Sequence, residues 1–252
     1  MNQPILRTKG LTKRFGGLVA TDALDFDVRG GEVHAVIGPN GAGKTTLVNQ
    51  LIGELAPDAG AIEFDGRDVT RVPSWRRALL GLSRSYQITS IFPEFSALEN
   101  VALAAQAREG HSFGCWRPAI LEQGLTEQAH AALAEVGLQS KPQRRAANLA
   151  HGERRQLELA MALVSKPKLL LLDEPMAGMG RQESESMVRL LSGLKGRYTM
   201  LLVEHDMDAV FALADRITVL VYGKPIATGR PEEIRNSVEV RKAYLGERYV
   251  AH

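Results

Sequence analysis

Cysteine is all but missing. Cys115 is the single cysteine among 252 residues, so no disulfide can form within the chain, and the lone thiol suits a reducing cytosol. Long apolar runs are missing too, since no stretch reaches the ~18 residues that suggest a membrane span. The opening MNQPILRTKG is followed by no apolar segment of the kind that marks a secretory signal. Net charge is only +2. Lys and Arg occur in short runs such as Arg76-Arg77 and Arg144-Arg145, with no basic tail and no aromatic-interleaved basic face. Internal repeats, low-complexity tracts and linkers are absent as well. A soluble chain with no nucleic-acid partner is expected, and any membrane role would have to come through other proteins.

What is present is an ordinary apolar fraction of 44%, enough to bury a sizeable core. The length fits one domain with a lobe. ILRTKGLTKRF, ALDFDV and EVHAVIG read as strands punctuated by Gly-Gly at 16–17 and 30–31. A helix is expected from Lys44 to near Gly53, and AIEFDG reads as a further strand. From about Leu98 to Val136 the pattern turns Ala- and Leu-rich with helical spacing. KLLLLDE, TMLLVEHD and RITVLVYG are apolar runs of buried-strand length with helical patterns between them, so a mainly parallel sheet is expected. The predicted fold class is α/β. It has an antiparallel β portion at the N-terminal end and a helical lobe, about residues 87–165, inserted into a single domain spanning 1–252.

Gly38-Pro39-Asn40-Gly41-Ala42-Gly43-Lys44-Thr45 matches G-x-x-x-x-G-K-[ST], and Thr46 follows. Glycine lets backbone N–H groups curl around phosphate oxygens without a Cβ in the way. Lys44 supplies positive charge to the β- and γ-phosphates of ATP, Thr45 offers a hydroxyl to Mg²⁺, and the helix that starts here points its positive end at the same anion. A chance match in a chain of this length has a probability on the order of one per cent. The apolar strand before it and the helix after it lower that further.

Leu169-Leu170-Leu171-Leu172-Asp173-Glu174 ends a buried strand on two carboxylates. Asp173 is placed to reach a Mg²⁺ shell, and Glu174 to polarise a water for attack on the γ-phosphate. Alone, the run would read as a core strand with a solvated acidic end. Beside the phosphate loop it reads as the second half of a nucleotide site.

Between the two lies Leu149-Ala150-His151-Gly152-Glu153, opening the helical RRQLELAMALV. This segment resembles the LSGGQ signature of ABC ATPases, and other elements of that family follow in its order. Gln87 in SRSYQ resembles the glutamine of the Q-loop, His205 in LLVEHD the switch histidine, and Phe15 in TKRFGG the aromatic that stacks on adenine. Pro175–Gly180 occupies the D-loop. Each has a bland reading when taken singly: a core Phe15, a solvated Gln87, a helix-start His205. Their joint order removes it. The resemblance implies Glu174, His205 and Gln87 in catalysis. It implies nucleotide contacts from Phe15, residues 38–46, Asp173 and residues 150–153, and Mg²⁺ held by Thr45, Gln87 and Asp173. It further implies a head-to-tail ATPase dimer, of this chain with itself or with a sister chain, sharing two ATP molecules. Integral membrane permease subunits and an external substrate-binding protein complete the assembly, with the chain peripheral on the cytoplasmic face of the inner membrane.

FGGLVATDAL, SYQITSIFPEFSALENV, LAHGE, EPMAGM and KAYLGE resemble one branch, the ATPases of branched-chain-amino-acid importers and their urea and amide relatives. The lipopolysaccharide-export ATPase shares the YLGE-type ending but resembles a fuller signature and a shorter helical lobe. DNA-repair and translation ATPases of the family carry coiled-coil insertions or two ATPase halves, and this chain shows one phosphate loop and no sustained heptads. Two departures from the family stand out: Ala150 replaces the signature serine, and Gly180 stands where many relatives carry Asp or Asn. Gly110-His111-Ser112-Phe113-Gly114 formally matches the nucleophile elbow of serine hydrolases. That elbow needs a strand before the serine, and a helical pattern precedes it here.

Overall fold

The computed structural model describes residues 4–85, 91–109 and 123–242. Its centre follows from three apolar runs. Strands β3 (Val33–Ile37), β7 (Leu169–Asp173) and β8 (Met200–Val203) are buried at every position. That pattern needs cover on both faces of a sheet. They belong to a six-stranded sheet of order β10-β9-β3-β8-β7-β6, with β6 at Leu82–Ser85, β9 at Arg216–Val221 and β10 at Lys224–Gly229. Five strands are parallel, and β10 pairs antiparallel with β9 at one edge.

The pleat sorts alternate residues to opposite faces. Val36, Leu169, Leu171, Leu201 and Val203 pack on one side with α1 (Lys44–Ile52) and the antiparallel strands β1 (Pro4–Phe15), β2 (Leu18–Arg29) and β4 (Ala59–Phe64). Ala35, Ile37, Leu170, Leu172, Met200 and Leu202 pack on the other. There they meet α5 (His151–Val164), α6 (Arg181–Leu194) and α7 (Met207–Leu213). Helices α3 (Ala97–Glu109) and α4 (Gln123–Glu135) pack on α5 and on each other, and their buried residues join this same cluster.

The four-stranded antiparallel sheet has the order β2-β1-β4-β5, with β5 at Arg67–Asp68. Its first two strands run to 12 residues each. The first nearly coincides with the expected ILRTKGLTKRF, whereas the second outruns ALDFDV, because bulges between Pro4 and Leu6 and between Thr8 and Arg14 let one ribbon keep pairing as it bends. Several short elements were not anticipated from the sequence, among them β10, β5 and α2 (Ser74–Leu80). Helices α8 (Pro231–Asn236) and α9 (Val238–Val240) follow β10. Among the described residues no helix is long and apolar enough to cross a membrane.

Spatial order decides where the chemistry falls. In the run β3-β8-β7-β6 every strand points the same way, so the carboxyl ends line one edge of the sheet. In open α/β sheets that edge is where ligands bind. Here it carries the phosphate loop after β3, Glu204-His205 after β8 and Asp173-Glu174 at the end of β7.

Candidate nucleotide site

Two close approaches shape the phosphate loop. A Cβ on Gly43 would lie 2.1 Å from the Ala20 carbonyl oxygen, and one on Gly38 would lie 2.1 Å from that of Leu220. Gly43 also adopts φ +100, a conformation that side chains rarely take. The loop is therefore wedged between β2 and the β9–β10 turn. Backbone bonds complete the clasp: Gly223 N–H donates to Ala42 O at 2.9 Å, and Asp22 N–H to Gly223 O at 3.0 Å. Lys44, the first residue of α1, folds its ammonium back to the loop carbonyls of Gly38 at 2.7 Å and Pro39 at 3.1 Å. Burial pushes its pKa down, and the charges of Glu174 and Asp173 partly offset this. Asn40, Gly41 and Thr45 are exposed and Thr46 half-buried, so the rim of the loop faces solvent.

Phe15 ends β1 and is 49% exposed, with the Lys13 ammonium 5.7 Å from its ring centroid. Its partner across the ribbon is Leu18, two residues from the Ala20 carbonyl that abuts Gly43. The ribbon tip, with its exposed ring, thus continues alongside the phosphate loop.

At the end of β7, Asp173 is 3% exposed and accepts from Arg84 Nη2 at 2.7 Å. Arg84 also reaches Asn49 Oδ1 at 3.1 Å and Glu54 Oε2 at 3.2 Å, tying β6 and β7 to α1. Glu174 sits at φ 49, left-handed for a residue with a side chain, while its N–H donates to Val203 O at 2.8 Å. Such strain persists only where neighbours over-determine it, and it clusters at working sites. His205 Nδ1 is 4.0 Å from Glu174 Oε1 and 3.7 Å from Glu204 Oε2. Asp206 then caps α7, accepting from Asp208 N and Ala209 N.

The signature segment has different neighbours. Ala150 is the N-cap of α5 and supplies no side-chain cap, though its own N–H donates to Glu153 Oε2 at 3.0 Å. Lys141 pairs with Glu153 and holds its carboxyl below the usual range. Ala150 and His151 are exposed, and Gly152 and Glu153 half-buried. A Cβ on Gly178 of the D-loop would lie 3.6 Å from the His151 ring, and one on Gly152 would lie 3.2 Å from Glu183 Oε1 on α6. Gly180 is the N-cap of α6. Residues 150–153 therefore face the D-loop and α6 of their own chain, whereas residues 38–46 face β2 and the β9–β10 turn.

Gln87 and the following Ile88–Ser90 lie outside the described residues, as do the GHSFG match at 110–114, Cys115 and the YLGE ending. A helix, α3, runs to Glu109 immediately before that match. Two residues of the site escaped sequence reasoning, Arg84 and Glu204. Each is a charge inside a strand-like run, LSRS and LLVEHD, and that misfit with the apolar pattern was the available signal.

Comparison with known proteins agrees with this geometry. The family model "ABC transporter" matches residues 21–177, and "Branched-chain amino acid ATP-binding cassette transporter" matches residues 224–250. The high-affinity branched-chain amino acid transport ATP-binding protein LivG of Salmonella typhimurium is 39% identical over 98% of this chain and 100% of its own. BraF of Pseudomonas aeruginosa, which carries the same description, shows the same identity and coverage. Among solved structures, the ADP conformation of an ATP-binding cassette of an ABC transporter superposes with TM-score 0.87 at 30% identity, covering 98% of this chain and 100% of that one. From the phosphate loop, the carboxylate pair and this full-length similarity together, the chain belongs to the ATP-binding family of ABC transporters.

Proposed function

We propose that the chain hydrolyses ATP to drive import of branched-chain or other hydrophobic amino acids through membrane permease subunits. One observation carries the chemistry: adjacent parallel strands β3, β8 and β7 deliver Lys44, His205, Asp173 and Glu174 to one edge of the sheet. The similarity to LivG and BraF, and the match at residues 224–250, support the cargo.

The residues present fit a magnesium ion. Thr45 is exposed at the start of α1, and Asp173 Oδ1 takes no hydrogen bond from the described residues while Oδ2 is held by Arg84. One carboxylate and one hydroxyl are an ordinary protein contribution to Mg²⁺, which is otherwise held by waters and phosphates. Thr45, Asp173 and Gln87 would hold it, and when bound it neutralises charge on the β- and γ-phosphates. Lys44 and the loop N–H groups bind the phosphates, and Phe15 stacks on the base. Glu174 accepts hydrogen bonds from the attacking water and orients it in line. His205 contacts the γ-phosphate.

Residues 150–153 contribute from the second ATPase subunit. Their helix N-terminus lies beside the D-loop and α6 of its own chain and supplies backbone donors and dipole to the partner's nucleotide. The partner is a sister chain or a second copy, the pair sits on the cytoplasmic face of the inner membrane, and an external binding protein delivers the amino acid. Specific activity of the purified chain across a dilution series, with and without its membrane complex, tests the shared site. Activity falls on dilution and is restored when permease subunits raise the effective concentration. High activity that stays constant down to dilute monomer refutes it. Uptake of labelled leucine against labelled urea by vesicles holding the complex tests the cargo.

A further inference from the structure

Glu204 closes β8 with a side chain only 1% exposed. A carboxylate that deep is costly unless its oxygens are satisfied. Both are. Oε1 accepts from Met176 N at 3.0 Å, and Oε2 from His205 N at 3.0 Å and Asp206 N at 3.4 Å. An anchor for α7 would be the simplest role, but Asp206 already fills it by accepting from Asp208 N and Ala209 N. Met176, moreover, belongs to the D-loop, 28 residues away in sequence.

What the carboxylate joins is more telling. Glu174 is pinned just before and just after its own strained turn. Its N–H is bound to Val203 O, and Met176 N–H, two residues on, is bound to Glu204. Between these anchors φ of Glu174 is held at 49. The other oxygen of the same carboxylate fixes the backbone of His205, whose Nδ1 lies 4.0 Å from Glu174 Oε1. One buried side chain therefore holds backbone beside both members of the Glu174–His205 pair.

We propose that Glu204 is a positioning residue for hydrolysis, locking Glu174 and His205 into one relative geometry through the D-loop and the start of α7. This rests on the hydrolytic reading of Glu174 and His205 given above. Two negative oxygens are needed, because backbone N–H groups arrive from two sides. A glutamine offers one acceptor and turns its NH₂ toward the donors on the other side.

The test compares Glu204→Gln with the parent as full-length chain in its membrane complex. Expected is a fall in kcat of about 10²-fold, the cost of a misplacement near 1 Å, with KM for MgATP within about twofold. A merely structural role would not give that split. Placed on His205→Ala, Glu204→Gln should cost less kcat than it costs alone, since part of its effect runs through His205. Losses that multiply, or a rise in KM with kcat kept, overturn the proposal. Glu204→Asp, which keeps the charge but shortens the reach to Met176, is read the same way if the glutamine variant does not fold, and failure of both to fold also overturns it. Full activity in Glu174→Gln would instead defeat the hydrolytic reading beneath it.

Discussion

Arg84 Nη2 lies 2.7 Å from Asp173 Oδ2, and the two side chains are 9% and 2% exposed. The pair spans neighbouring strands, since Arg84 on β6 lies opposite Leu171, two residues before Asp173 on β7. It holds one carboxylate oxygen and leaves the other to the site. Removing the guanidinium strands a buried charge, which typically costs about 3–5 kcal/mol. Arg84→Met should therefore lower the unfolding free energy measured in urea by that order, and Arg84→Lys should recover part of it. A loss below about 1 kcal/mol would mean that solvent reaches Asp173.

Glu174→Gln keeps the shape of the strained turn and the N–H bond to Val203, but removes the anionic acceptor for water. Turnover should fall by about 10²–10⁴-fold, the usual contribution of a positioned base, with ATP affinity unchanged. Phosphate release and fluorescent-nucleotide titration of the same preparation separate the two.

Ala150 already has half of a capping box, its N–H bound to Glu153 while no side chain returns the bond. Ala150→Ser supplies the missing acceptor and should stabilise α5 by about 0.5–1 kcal/mol. Activity in the complex should be unchanged or mildly raised. A severe loss would show that the small apolar group is itself required.

His34 gives the fold a pH dependence. Its ring is fully buried on β3, edge-on to Phe26, with Nε2 2.8 Å from Thr218 Oγ1 and Nδ1 3.2 Å from Glu32 Oε1. Burial pushes its pKa down, the hydrogen bond that its ring donates to Glu32 opposes this, and nearby Arg216 adds to the lowering while Asp27 counters it. Below about pH 6.5 the unfolded chain takes up a proton that the folded chain refuses, so stability is full above that pH and is lost as pH falls toward the lowered value. Glu32, also lowered, acts further into acid. His34→Gln should flatten urea stability between about pH 7 and pH 5.

How far the fold could be read depended on whether a segment's pattern matched its period. Leu169–Asp173, Met200–Val203 and Arg216–Val221 were legible because both faces are covered and most positions are apolar. The N-terminal strands were legible from alternation and paired glycines. Lys224–Gly229 was not, because an edge strand containing Pro225 buries too little to leave a pattern. Ser74–Leu80 was missed for a related reason. Its buried residue is Arg77, whose guanidinium donates to carbonyls of Gln50, Leu51, Val72 and Thr70, so polar bonds do the work that apolar spacing would advertise. In the site, local motifs such as GPNGAGKTT marked themselves. Arg84 and Glu204 act across strands on segments remote in sequence, and only the folded register brings them together.

The clasp around the phosphate loop has a thermodynamic consequence. Gly38 and Gly43 are gripped by carbonyls on either side, and Ala42 is bonded to Gly223. Fixing backbone in one conformation costs about 1–2 kcal/mol per residue in conformational entropy. Here that cost falls on folding, so an arriving phosphate meets a receptor already frozen in shape. Affinity at this half of the interface should then vary little with temperature-driven loosening of the rest of the chain. On the proposed reading, adjustment is left to the approach of the second subunit.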